Sequence, residues 1–562
     1  MNDPKVYEVL ASVFIYENVK TCFGLLGDAN MKWAAAMTTG GCDFIYVRHE
    51  HCAVAAAIAY SRSTHSVGVA TVTCGPGLTQ VMTALPAAVR ARIPLIIFAG
   101  EAPVKKAWYN QSIDQKPFVE ACGAEYVSLQ HQPTMRAGIR DAFLRAKTDQ
   151  RPIVLGVPLD LQNERWEQSL GTLPTSEEIA PQITPLTPSA ESLRMAKSRI
   201  ERSNKIVIMA GLGALKAEAK IACEKLAEQL GALLATTLPA RGLFHGNKYY
   251  LGVAGGFSSD VARRFLSEAD LIIAVGASLS SHNSDAGKLF KADNVLHIDV
   301  TPASINQGRQ AATYHLKSDA KLGIEALSNL IDTRDNNSDG YWRCESVATE
   351  IRDTPADSAE FVIEEGLLDP RDVVSVLDDA IPRQWYTVNS SGHCSCFFAQ
   401  MKNRPANRFL TIREFGAIGN GLSFAMGVCA AHPDEPVVLF DGDGSLLMHI
   451  QEFETITRHH MNLLIIVLND GAYGSEIHKL RSEGLPDDGA VFGRPDFASI
   501  ARGFGANGAT VTNLDDLQPL IDQYGRQMSD KSNSSFENRL TVIDVHVSDK
   551  VVSSVIRRSH AH

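Results

Sequence analysis

Val6, Val9, Leu10, Val13 and Phe14 recur at helical spacing, and residues 22–26 then run apolar and extended. Apolar runs at 44–47, 67–73, 95–99 and 153–157 predict further strands, with helical stretches such as 51–62 and 77–90 between them. Continuous apolar strands separated by helices predict a parallel sheet covered on both faces. A polar, proline-rich stretch over 160–188 reads as a linker. A second α/β segment follows, with strands at 205–210, 271–275 and 295–299. Polar runs at 333–338 and 353–358 mark the next boundary, and a third segment begins near Asp369, with strands at 385–388, 437–440, 463–468 and 541–545. The pattern predicts three doubly wound α/β domains with mostly parallel sheets, over 1–165, 188–330 and 360–550, and no short-period repeat.

A chain of 562 residues exceeds one compact core. Its 45% apolar and 21% charged residues are ordinary for a globular protein. No apolar run is long enough to cross a bilayer, and residues 1–5 lack a signal-peptide pattern. A net charge of −11, with no basic stripe carrying interleaved aromatics, argues against a nucleic-acid surface. Cys394-Ser395-Cys396 is the only close pair among ten scattered cysteines, and it has neither zinc-knuckle nor redox spacing. Reduced, mostly buried thiols and a cytoplasmic location are expected.

The chemistry concentrates where strands end. The apolar run 436–440 stops at Asp441-Gly442-Asp443-Gly444-Ser445, and 446–458 has helical periodicity. Glycines at a strand end let the backbone approach a phosphate, and a following helix N-terminus favours negative charge. Asp443 is the hard oxygen donor that Mg²⁺ prefers. The next run, 462–468, ends in Asn469-Asp470-Gly471-Ala472. In a parallel sheet both ends fall on one carboxyl edge, so the two acids can meet on one cation. Gly-Asp-Gly alone is also a tight turn with a capping aspartate. In the first unit, Val47-Arg48-His49-Glu50-His51 closes a strand and opens a helix; Glu50 there is either an ordinary first-turn acid or a placed one.

The stretch from Gly442-Asp443-Gly444 to Asn469-Asp470 resembles the thiamine-diphosphate signature of the superfamily of acetolactate synthase, pyruvate decarboxylase and benzoylformate decarboxylase. The resemblance spans nearly the whole chain and implies pyrimidine-binding, central and diphosphate-binding domains. It implies Mg²⁺ held by Asp443, Asp470 and the carbonyl of Ala472; the usual residue at position 470 is Asn. Gly444, Ser445, Tyr473 and Gly474 would complete the diphosphate cradle, with Ser391, Gly392 and His393 from the preceding loop. His393 could also reach substrate.

Arg48-His49-Glu50 resembles the segment whose glutamate activates the cofactor through its pyrimidine ring. Thr73-Cys74-Gly75-Pro76-Gly77 resembles the turn against that ring, which implies contacts from Thr73 and Pro76. Gln80 stands where synthases usually carry Asn. In Glu414-Phe415-Gly416-Ala417-Ile418-Gly419, Gly416 would accept from the exocyclic amine and Ile418 would wedge between the rings. Family architecture puts Glu50 and Asp443 on different subunits, so a homodimer is the minimum and a homotetramer is expected.

The resemblance further implies decarboxylation of a 2-oxo acid, then transfer of the acyl-carbanion equivalent to a carbonyl acceptor or its protonation. Residues 108–115 hold no His-His pair and position 73 is not His, which favours carboligation over simple decarboxylation; a C–C bond lyase or hydrolase using the same cofactor is a further alternative. Gln115 sits near a synthase glutamine that contacts the acceptor, while the lysine expected soon after is missing around Tyr126-Val127-Ser128. Gly211-Leu212-Gly213 is a weak dinucleotide signal, and Gly252–Gly255 and Ala277–Ser280 do not match the synthase FAD segments, so FAD is not expected. A non-catalytic subunit would have lost Glu50 or the acid pair, and both are present. A flavin or nicotinamide oxidoreductase built on the central unit is the remaining alternative.

Overall fold

Three six-stranded sheets organise the protein, and every neighbouring pair within them is parallel. The computed structural model describes residues 3–335, 341–529 and 539–560; part of the polar boundary expected at 333–338 lies outside them. The first sheet comprises β1 (Thr21–Gly24), β2 (Asp43–Tyr46), β3 (Gly68–Val72), β4 (Leu95–Glu101), β5 (Glu125–Ser128) and β6 (Pro152–Pro158), in the order β2-β1-β3-β4-β6-β5. The second runs through β7 (Ile206–Ala210), β8 (Leu233–Thr236), β9 (Tyr250–Val253), β10 (Leu271–Val275) and β11 (Val295–Asp299). An antiparallel ribbon, β12 (Ile305–Asn306) with β13 (Arg309–Gln310), precedes its last strand, β14 (Tyr314–Lys317). The third contains β15 (Tyr386–Asn389), β16 (Phe409–Thr411), β17 (Val437–Gly442), β18 (Leu463–Asn469), β19 (Asn507–Val511) and β20 (Leu540–His546), in the order β16-β15-β17-β18-β20-β19.

Numbered within their own units, the first and third sheets share one order, 2-1-3-4-6-5, whereas the central sheet is the doubly wound 3-2-1-4-5-6. The repetition visible in the sequence is therefore two copies of one topology flanking a different one.

Periodicity found most of the buried strands and missed β5, β8, β9, β14, β16 and β19 of the sheets, as well as the short β12–β13 ribbon. All but β8 are edge strands or lie against solvent on part of their length, such as β5 and β19, so they lack a continuous apolar run. Two expected helices are also broken. The 77–90 stretch splits into Pro76–Thr79 and Ala84–Arg90. The 446–458 stretch splits into Asp443–Leu447 and Glu452–Arg458, because backbone bonds tighten to i→i+3 through Met448, His449 and Glu452.

The outer domains meet in one core. The helix Glu50–Thr64 that follows β2 lies on the helix Gly421–Ala431 that follows β16, and Phe23, Val54 and Ile97 share a cluster with Phe424, Leu439 and Ile465. The approach is close enough that a Cβ on Gly427 would stand 2.1 Å from the Ala56 carbonyl oxygen. No helix among the described residues is long and apolar enough to cross a membrane. All ten cysteines are free, and most are buried.

Candidate active site

Both acids of the sequence motif sit on the carboxyl edge of the third sheet, at the ends of the neighbouring strands β17 and β18, next to the β15/β17 point where the strand order reverses. Asp443 follows β17 directly and is 2% exposed. Its carboxylate accepts the N–H groups of Gly444 and Gly471, both at 2.7 Å. Asp470 follows β18 and accepts the Ala472 N–H at 3.2 Å. Burial pushes both carboxyls up from the usual range; Asp443 adds a repulsive charge at Asp470, while backbone donors pull Asp443 partly back. Among the described residues neither carboxylate forms an ion pair, although the Arg494 charge acts on Asp470, so a cation would offset the cost of holding the two acids together.

They face a cleft lined also by Ser391, Gly392, His393, Ile418, Gly444, Ser445, Ala472, Tyr473 and Gly474. Gly392, in the loop after β15, has φ +96°. His393 is buried, and its Nε2 accepts the Ser553 N–H at 3.0 Å. Burial, and then the neighbouring His478 ring, hold its pKa well below the usual value. A neutral ring that accepts at Nε2 carries its proton on Nδ1. That Nδ1 lies beside Gly474, where a Cβ would stand 2.7 Å from it and 2.7 Å from Asp470 Oδ2. Glycine at 474 thus keeps a donor and an acid together at a helix N-terminus. Tyr473 covers Gly444 from the other side, its ring carbons 2.7 and 2.8 Å from where a Cβ would be.

Ile418 enters this cleft from the loop after β16, with a methyl 3.6 Å from a Cβ built on Gly392. Gly416 (φ +74°) and Gly419 (φ +86°) let the loop turn on either side of it. Ser445 ties this loop to the Gly-Asp-Gly turn, its Oγ accepting the Gly419 N–H at 3.0 Å.

In the first sheet Glu50 opens the helix after β2, Thr73 through Gly77 follow β3, and the three come together: a Cβ on Gly77 would lie 2.8 Å from the Thr73 methyl and 3.5 Å from Glu50 Oε1. Pro76 and Gln80 are exposed on the same turn. None of these residues lines the cleft that holds the acid pair. Gln115 is 4% exposed and its carboxamide is engaged: Oε1 accepts the Gly75 N–H at 2.9 Å, and Nε2 donates to the Gly100 carbonyl at 3.0 Å and Tyr126 Oη at 3.1 Å. It braces the Thr73–Gly77 turn.

One residue escaped periodicity and motif alike. Asp28 is exposed on the loop after β1, where Gly27 packs on Thr73 and the Ala29 N–H reaches Thr73 Oγ1 at 3.4 Å, so its acid stands on the rim shared with Glu50. Only its place at a strand's carboxyl end could have flagged it. In the central domain, Gly211 and Gly213 have a local cause: Cβ atoms there would lie 2.3 Å from the Gly276 carbonyl oxygen and 2.8 Å from the Gly276 Cα. Those glycines are required by two loops in contact.

Two outer sheets of one topology, each gathering acids and glycines on its carboxyl edge, define a class of protein, and comparison with known proteins names its family. Three thiamine pyrophosphate enzyme profiles match in order: the N-terminal TPP binding domain over residues 4–118, the central domain over 193–327 and the C-terminal TPP binding domain over 390–532. The chain belongs to the thiamine pyrophosphate enzyme family and resembles acetolactate synthase. It is 28% identical over 526 residues to the acetolactate synthase isozyme 2 large subunit of Escherichia coli, covering 90% of each chain. It is 26% identical to the acetolactate synthase large subunit of Haemophilus influenzae over 95% of this chain and 92% of that one. The chloroplastic acetolactate synthase 2 of Nicotiana tabacum is also 26% identical, over 92% of this chain and 79% of its own.

Proposed function

We propose that the protein is a thiamine-diphosphate- and Mg²⁺-dependent carboligase, which decarboxylates a 2-oxo acid such as pyruvate and passes the acyl-carbanion equivalent to a carbonyl acceptor. The observation that carries it is the desolvated pair Asp443 and Asp470 facing a glycine-lined cleft on the carboxyl edge of the third sheet. Among the described residues no group of three or more His, Cys, Asp or Glu side chains is arranged to hold a metal ion by itself. Two carboxylates, a backbone carbonyl at Ala472 and diphosphate oxygens suit Mg²⁺, which keeps few protein ligands.

When bound, thiamine diphosphate would supply carbanion chemistry at its C2. Ser391, Gly392, Ser445 and the Nδ1 proton of His393 would hold the diphosphate, and Gly474 would bring a helix N-terminus to it. Ile418 would pack between the two rings, and the Gly416 carbonyl would accept from the exocyclic amine. Glu50 would hold and exchange a proton at the pyrimidine ring. Thr73 and Pro76 shape the turn against that ring, and Gln115 acts through Gly75 rather than on substrate. A second copy, as a homodimer or tetramer, brings Glu50 to the cleft of its neighbour.

Position 73 is Thr and residues 108–115 carry no His, so the rim lacks an imidazole proton donor there. A decarboxylase reading rests on one observation, Asp28 at that rim. Product analysis with pyruvate, thiamine diphosphate and Mg²⁺ separates the two: acyloin or acetolactate is expected, and free acetaldehyde alone overturns carboligation.

A further inference from the structure

The segment that presents Glu50 is held along its length by the other outer domain. The Tyr46 N–H donates to His459 Nε2 at 3.1 Å, and Arg458 donates to the Tyr46 carbonyl. The Arg48 N–H is shared between both oxygens of Glu452, at 3.0 and 3.2 Å. His51 Nε2 meets Asn420 Oδ1 at 2.6 Å, and its ring stacks on His449 at 4.8 Å with 4° between planes. Each of these partners comes from the diphosphate-binding domain, and three lie on or beside the helix Glu452–Arg458.

Glu452 is the unusual member. It is 0% exposed, yet its carboxylate does not pair with the nearest cation, because the Arg48 guanidinium goes to Glu454. Its acceptors serve only the Arg48 N–H, the Thr455 hydroxyl at 2.6 Å and the Cys52 thiol. An apolar side chain would fill that space without desolvating a charge. What the carboxylate supplies is a fixed direction for the backbone two residues before Glu50. There His49, extended at φ −150° and ψ 137°, turns the chain into the helix Glu50–Thr64. Among the described residues, the Glu50 carboxylate takes no hydrogen bond, so its aim is set by this backbone and not by a side-chain partner.

We infer that Glu452 is a positioning residue for Glu50: a buried carboxylate of the diphosphate-binding domain fixes the strand end from which the activating acid projects. The inference rests on Glu50 as the activating acid.

The test compares Glu452→Ala, Glu452→Gln and Glu50→Gln in the full chain. Thiamine diphosphate affinity, the exchange rate of the bound cofactor's C2 proton in D₂O and amide hydrogen exchange over residues 44–52 of the apoprotein are measured. Misplacing a catalytic group by about 1 Å costs up to about a hundredfold. Glu452→Ala is therefore expected to slow C2 exchange tenfold to a hundredfold, on the order of that limit. Its affinity stays near wild type and the Arg48 amide loses protection. Glu452→Gln keeps one acceptor oxygen and recovers part of the rate; it carries the test if the alanine variant does not fold. Wild-type C2 exchange in a folded, cofactor-binding Glu452 variant overturns the inference. Wild-type exchange in Glu50→Gln instead overturns the role of Glu50, and with it this inference.

Discussion

The first and third domains have one strand order and spend it differently. In both, the loops after the first, second and third strands gather on one edge. In the diphosphate-binding domain these loops supply Gly392 and His393, Ile418, and Asp443; all line one cleft of a single chain. In the pyrimidine-binding domain the same positions supply Asp28, Glu50 and Thr73–Gly77, which meet on an open rim. Topology therefore chooses where chemistry collects, and single residues choose what it is. On the proposed reading, an anionic cofactor end held through a cation needs acid ligands and backbone donors, whereas a ring that exchanges a proton needs one carboxylate kept accessible and well aimed.

The strongest way to break this division is Glu50→Gln. It should lower kcat by about 10²–10⁴, the range for a positioned acid–base group, with thiamine diphosphate affinity nearly unchanged. Steady-state kinetics and a cofactor titration check it. A large loss of affinity would mean that Glu50 belongs to the binding end after all.

The second prediction concerns pH. Burial, and then the His449 ring, bring the pKa of His51 down to about 4. The unfolded chain takes up this proton below about 6.5, and the native state takes it up only near 4. The unfolded state thus binds more protons in that window, so stability present above pH 6.5 is lost as pH falls towards 4, by up to roughly 3 kcal/mol from this group. Denaturant unfolding at pH 7 and pH 5 should show the drop, and His51→Gln should flatten it. An unchanged slope would show that the stacked histidines are not what joins the two domains.

How much of this was legible follows the same divide. The Asp443–Asp470 pair could be read because each acid ends a continuous apolar strand, so the partners are about one helix and one strand apart. Glu50 was legible only through its motif, since an acid in a first helical turn is common. The full engagement of Gln115 inside its domain, the clamp of Glu452 on Arg48 and the rim position of Asp28 depend on contacts between distant segments, which periodicity does not encode. Edge strands such as β5, β9 and β19 were missed because solvent interrupts their apolar run, whereas β2, also at an edge, was found.

Gln115→Ala sharpens the view of the pyrimidine end. It leaves the Gly75 N–H without Gln115 Oε1 and removes the Gln115 donor from the Gly100 carbonyl and from Tyr126 Oη, which still donates to Glu101. Unmet buried groups cost about 1–3 kcal/mol, so Tm should fall by a few degrees and activity should fall with it. A loss of activity at unchanged Tm and unchanged KM for cofactor would instead indicate direct contact with substrate.

Asp470→Asn gives the smallest expected effect and probes the diphosphate end alone. The substitution restores the residue usual in the family at this position and removes one of two repelling buried charges. It loses attraction for the cation but also relieves the Asp443 repulsion and the cost of burying a second charge. These terms oppose one another, so the net change should be about tenfold weaker Mg²⁺ activation, roughly 1.4 kcal/mol, with full activity recovered at saturating Mg²⁺. Mg²⁺ titrations of EDTA-treated protein measure it. Tighter Mg²⁺ activation in the variant would mean that the repulsion outweighs the attraction, and that the second acid serves some purpose other than holding the metal.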